Sequence, residues 1–151
     1  MTSNNDSIIK IVDLAAPPAR VWRALTDHEE FGTWFRVELD GPFEVGTLVT
    51  GKTTYPGYEC HGWAARVECM DPERRFAFSW HHVEAEPKAD ASDEPTTLVE
   101  FVLEPTDAGT RLTITESGFS NLPDPRRLEA LRSNREGWDI QAQNVADYVA
   151  R

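Results

Sequence analysis

Apolar and polar residues alternate along most of this chain, and the places where the alternation gives way to a wider spacing mark its helices. Ile8 to Leu14 is a β-rich run stopped by Ala15-Ala16-Pro17-Pro18. Proline is tolerated at a helix start, where its missing N–H has no intrahelical partner to lose, so Ala19 to Asp27 reads as a helix with Val21, Trp22 and Leu25 on one face. A second short helical turn, Glu29 to Trp34, brings in Phe31, Trp34 and Phe35. Short strands are expected near Val37–Leu39 and Thr47–Tyr55, with Gly41-Pro42 and Val45-Gly46 between them and Pro56-Gly57 as a turn. Longer strands follow over Tyr58–Met70, Arg75–Val83, Thr97–Glu104 and Thr110–Gly118. From about Arg126 to Ala150 the spacing changes to three and four, placing Leu128, Leu131, Trp138, Ala142, Val145 and Val149 on one helical stripe.

Strands that follow one another through short turns form an antiparallel meander rather than a parallel α/β sheet. The fold class is therefore α+β. It comprises six to seven antiparallel strands, two short helices after the first strand, and one long C-terminal helix that can lie across a curved sheet over a ligand-sized cavity. No internal repeat or low-complexity tract interrupts this order, and residues 1–151 read as one domain. Met1 to Ser7 is polar and expected to be disordered, and the acidic, Ala/Pro-rich stretch from Glu84 to Thr96 is expected to be a mobile loop.

Strand parity assigns faces. Phe76, Phe78, Trp80 and His82 share one side of their strand, and Val99, Phe101 and Leu103 one side of the next. Leu112, Ile114 and Glu116 share a side of the last strand. With Arg66 and Glu68 outward, Glu59, His61, Trp63, Ala65 and Val67 turn inward.

Composition then narrows the function. The net charge of −11 opposes binding to nucleic-acid phosphates and anionic lipid. The arginines at 126, 127, 132 and 135 alternate with Asp124, Glu129, Glu136 and Asp139, a solvated helix face rather than a basic patch. No apolar run approaches the roughly 20 residues of a membrane span, so no membrane insertion is expected. Cys60 and Cys69 on one strand would lie about 30 Å apart, too far to bridge; two thiols and no visible export signal lead to an expectation of a cytoplasmic protein. His81-His82 point to opposite faces, and no zinc-type spacing, Gly-rich phosphate loop or nucleophile elbow occurs. No metal and no cofactor are expected.

Five segments, in order, carry a resemblance: Ala16-Pro17-Pro18-Ala19-Arg20-Val21-Trp22-Arg23-Ala24-Leu25-Thr26; Trp34-Phe35; Asp71-Pro72-Glu73-Arg74-Arg75-Phe76-Ala77-Phe78-Ser79-Trp80; Gly109-Thr110-Arg111-Leu112-Thr113; and Gly137-Trp138. Together they resemble the SRPBCC superfamily, the START- and birch-pollen-allergen-like helix-grip proteins, and within it the group named after the activator of the heat-shock-protein-90 ATPase. The resemblance implies a sheet gripping the C-terminal helix around an apolar cavity, and a lipid, polyketide or other hydrophobic small molecule as ligand. It supplies no catalytic motif.

The expected ligand-binding residues are Trp34, Glu59, His61, Trp63, Phe78, Trp80, His82, Phe101, Glu116 and Trp138. The aromatic members give contact area, and Glu59, His61, His82 and Glu116 give orientation, in keeping with apolar pockets that hold a few convergent polar groups. The plainer interpretation is that Trp138 fills the core and the polar four sit at strand ends near solvent. The main expectation is a non-catalytic binder of a small aromatic, acyl or polyketide-like molecule. Two alternatives stand beside it. One is a cyclase- or dehydratase-type enzyme in the same cavity with Glu116 or a histidine as acid–base group. The other is a chaperone-binding module, although the two-domain co-chaperones of that group carry an additional N-terminal domain not seen here. The sequence leaves the oligomeric state open.

Overall fold

A computed structural model of the protein describes residues 7–54, 62–81, 96–122 and 124–150. The elements are β1 (Ser7–Leu14), α1 (Pro18–Thr26), α2 (His28–Phe35), β2 (Val37–Leu39), β3 (Leu48–Thr53), β4 (Gly62–Asp71), β5 (Arg75–His81), β6 (Thr96–Thr106), β7 (Gly109–Ser117), a 3₁₀ turn (Phe119–Asn121) and α3 (Asp124–Val149). Ser7 and Thr96, expected in mobile segments, belong to β1 and β6. Residues 1–6, the Pro56-Gly57 turn, Cys60 and the acidic stretch 84–95 lie outside the described residues.

The seven strands form one open antiparallel sheet in the order β1-β7-β6-β5-β4-β3-β2. Its first two strands in sequence are thus its two edges. Helices α1 and α2 carry the chain from one edge to the other, and the meander β2 to β7 returns to pair with β1 from Ser7↔Ser117 to Leu14↔Thr110. This is the helix-grip arrangement expected from the sequence.

Local chemistry explains the helix boundaries. Pro18 opens α1, and the Asp27 carboxylate caps α2 by accepting from the backbone N–H groups of Glu29 and Glu30. The corner after α2 is tight. A Cβ on Gly32 would come within 2.3 Å of the Val37 carbonyl oxygen, and one on Gly51 within 2.4 Å of that of Glu38. Only glycine lets α2, β2 and β3 approach this closely. Gly51 lies inside β3, within the strand expected over Thr47–Tyr55.

The core forms between the sheet and the helices. Phe76, Phe78, Val99, Phe101, Leu112 and Glu116 are fully buried, as strand parity predicts. On β4, Trp63, Ala65 and Val67 turn inward, and a bulge between Val67 and Cys69 then resets the register so that Met70 packs against the core. One helix assignment fails: Leu128 is 61% exposed. At about 100° per residue it lies about 80° from Trp138 around the helix, beyond the stripe formed by Leu131, Trp138, Val145 and Val149.

Candidate functional site

Glu116 organises the region between the sheet and α3. It sits on β7 with no exposed surface, and its oxygens accept from four neutral side chains on three elements, β5, β6 and α3. Trp80 Nε1 donates to Oε2 at 2.8 Å from β5, and the Thr97 hydroxyl donates to the same oxygen from β6. From α3, Trp138 Nε1 donates to Oε1 at 2.8 Å, and Asn134 Nδ2 reaches both oxygens at 3.0 and 3.1 Å. The register makes this possible. Trp80 lies directly opposite Thr97, and Val99, two residues along β6, lies opposite Glu116. Asn134 and Trp138 are one helical turn apart and so face the sheet together. A buried carboxylate is tolerated only when its lone pairs are satisfied, and here satisfying them ties α3 to three strands.

The Glu116 clamp fixes two indole rings. Trp80 and Trp138 stack at 5.9 Å with 30° between their planes, and Phe35 touches both at 6.1 Å. These three rings floor an open cleft of about 520 Å³. Its walls are Ser133, Asn134, Glu136, Gly137, Ile140 and Gln141 of α3 on one side, and Arg36 and Thr53 on the other. The α2 corner is held in place by Gln141 Nε2, which donates to the Phe35 carbonyl at 2.9 Å, and by Arg36, whose N–H bonds the Gly32 carbonyl and whose carbonyl accepts from Thr54. Arg36 adopts a left-handed backbone with φ of 67°, a conformation that is uncommon for an arginine and held by both its backbone bonds.

The expected site residues divide into three groups. Trp80 and Trp138 line the cleft, with Glu116 behind them. Trp34, Trp63, Phe78 and Phe101 stand in the packed aromatic core below: Phe31 lies within 6.3 Å of Trp34, Trp63 and Phe78, and Phe101 touches Trp138 at 5.9 Å. The space between sheet and helix is thus filled with rings at this depth, and the opening lies at its rim. Glu59, His61 and His82 lie outside the described residues. Among the described residues, no three His, Cys, Asp or Glu side chains converge as a metal site, and Cys69 is a free thiol.

Besides the wall residues, three contributors to the Glu116 clamp and its ring floor escaped the sequence reading: Phe35, Thr97 and Asn134. Two of them carried a legible signal. Thr97 shares the inward parity of Val99 and Phe101, and Asn134 stands four residues before Trp138 on the buried stripe. A polar residue on an apolar face invites a search for the buried partner it serves.

A seven-stranded antiparallel sheet closed by a long C-terminal helix, with an aromatic cleft between them, defines a protein of the helix-grip class. The family model described as "Activator of Hsp90 ATPase homolog 1-like protein" matches residues 15–150, and the chain belongs to that family. No curated protein matches the sequence. Among solved structures, a protein from Mesorhizobium loti is 24% identical with a TM-score of 0.75, over 96% of this chain and 97% of that one. DynU16, a protein in the dynemicin biosynthetic locus, is 22% identical with a TM-score of 0.73, over 96% of this chain and 47% of its own. The Aha1 dimer from Colwellia psychrerythraea is 20% identical with a TM-score of 0.69, over 95% of both chains. At these identities the likeness is one of fold. No helix among the described residues is long and apolar enough to cross a membrane.

Proposed function

We propose that this protein binds a small hydrophobic molecule, aromatic or acyl in character, in the cleft between α3 and the sheet. The observation that carries this reading is the floor of Phe35, Trp80 and Trp138, with its two indoles held by a buried carboxylate. Aromatic rings lining a volume within the usual range of about 300–1,000 Å³, rimmed by a few polar groups, are the common form of a small-molecule site. The acid–base alternative has less support. Thr97, Trp80, Asn134 and Trp138 already surround Glu116 as donors, and general acid–base work needs the carboxylate within reach of a substrate proton.

Gly137 provides the test. It lines the cleft from the middle of α3, and a Cβ placed there meets nothing within 4 Å. Gly137→Leu therefore projects a side chain into the opening without disturbing the core. Replacing a mid-helix glycine also raises helix stability by about 0.5–1 kcal/mol. Native mass spectrometry of protein purified from its host, followed by tryptophan-quenching titrations with aromatic and acyl compounds, should show saturable binding in the wild type. Gly137→Leu should lose at least about tenfold in affinity, more than 1.4 kcal/mol, while unfolding no earlier. Equal affinity in the two proteins sinks the assignment of the site.

A further inference from the structure

Three indoles packed between the sheet and the helices have acceptors for their N–H groups. Trp34 donates to the Ala24 carbonyl at 2.8 Å, and Trp80 and Trp138 donate to Glu116. Trp63 differs: it is only 8% exposed, and among the described residues its Nε1 has no hydrogen-bond partner. A buried donor without an acceptor costs about 1–3 kcal/mol, a cost that an apolar aromatic side chain would not carry. The ring that carries this donor also lies close to the cleft. Trp63 touches Phe35 at 6.0 Å and Trp80 at 6.1 Å, and both of those rings line the opening. The indole is therefore one ring behind the cleft floor. Trp80 is pinned through its own N–H, whereas the Phe35 side chain has no polar atom and is held by packing alone, so Phe35 is the ring that can yield.

We propose that the ligand of this cleft carries a neutral carbonyl oxygen, of aryl-ketone or quinone type, that enters past Phe35 and accepts the Trp63 indole N–H. The inference rests on the binding reading above and specifies the chemistry of its ligand. Three considerations select the acceptor. Rings of Phe31, Phe35, Phe78 and Trp80 surround Trp63, and an ionised oxygen in such a setting would be heavily penalised by desolvation. A hydroxyl would bring an O–H needing an acceptor of its own. A carbonyl attached to an aromatic body satisfies the indole and adds nothing unsatisfied.

Fluorenone and fluorene test this directly, because they share one shape and differ by a carbonyl in place of a methylene. Titrations followed by tryptophan quenching, with the indole N–H resonances of isotope-labelled protein recorded in parallel, should show fluorenone binding about five- to tenfold more tightly, the worth of one neutral hydrogen bond. The Trp63 indole proton should shift downfield with fluorenone and not with fluorene, and Trp63→Phe should bind both alike. If the two compounds bind the wild type equally and the Trp63 resonance does not report a new acceptor, the carbonyl inference is overturned while the cleft remains a binding site. If neither compound nor any other aromatic probe saturates, the binding reading itself fails and takes this inference with it.

Discussion

Glu116 shows how much one side chain can decide. Its carboxylate has no exposed surface, yet the indoles of Trp80 and Trp138, the Thr97 hydroxyl and the Asn134 amide all give it hydrogen bonds. Glu116→Gln preserves the shape and replaces one acceptor oxygen with an NH₂ that faces existing donors. At least one buried donor then loses its acceptor, so the variant should be less stable by about 1–3 kcal/mol. In its spectrum the indole N–H resonances of Trp80 and Trp138 should move upfield, while that of Trp34, bonded to the Ala24 carbonyl, stays in place. Wild-type stability with unmoved indole resonances would show that the clamp is not maintained in solution. Parity identified Glu116 as inward and polar, but its partners are set by register: the sequence does not say that Trp80 stands opposite Thr97, or that α3 passes over them with Asn134 and Trp138 both facing down.

The three helices meet in a second network, away from the cleft. Glu30 of α2 accepts from Arg20 at 2.6 Å and Arg23 at 2.9 Å, both on α1, and from the Tyr148 hydroxyl of α3 at 3.0 Å. The Arg20 guanidinium also lies 5.2 Å from the centre of the Tyr148 ring. Burial, and then the hydrogen bond to Glu30, push the Tyr148 phenol above its ordinary 10.0, and the neighbouring Arg20 only partly offsets this. A raised folded-state value means that the folded protein holds the phenolic proton more tightly than the unfolded chain does. The contribution is therefore complete below pH 10.0, the ordinary phenol value, and is lost as the pH rises through the folded one. Denaturant melts across the alkaline range should show Tyr148→Phe less stable than wild type at neutral pH, with the gap closing above pH 10. A gap independent of pH would mean that the phenol ionises alike in the folded and unfolded protein, and that neither burial nor Glu30 raises it. Sequence patterning showed that these helices exist and which faces are apolar. It did not show this contact, because Glu30 and Tyr148 are 118 residues apart and each is unremarkable on its own helix.

At the scale of the whole molecule, most of the architecture was legible because alternation and its interruptions are local signals: β2 falls on Val37–Leu39 as expected, and the other strands and helices differ from their expected limits by a few residues where both ends are described. What the sequence could not supply was the depth of the opening. Inward aromatics such as Phe78 and Phe101 are compatible with a lined cavity or with a filled core, and only the packing of the rings around them distinguishes the two; here they are core, and the opening is bordered by half-buried Trp80 and by the edges of the buried Phe35 and Trp138. That placement has a mechanical consequence. Helix α3 is fastened to the β1 edge by Lys10 and Asp139 at 2.6 Å, to the sheet centre through Glu116, and to the α2 corner by Gln141. A molecule in the cleft adds a further link between α3 and the corner of α2 and β3. Because it binds only when these elements are assembled, it should stabilise the fold as a unit. At a free concentration a hundredfold above Kd the linkage is worth about 2.7 kcal/mol, or about 5–10 °C in Tm for a chain of this length. Thermal melts with and without a saturating aromatic ketone should show that shift in the wild type and none in Gly137→Leu. A shift of equal size in both proteins would place the ligand elsewhere on the molecule, since a leucine at position 137 occupies the space a cleft-bound ligand needs.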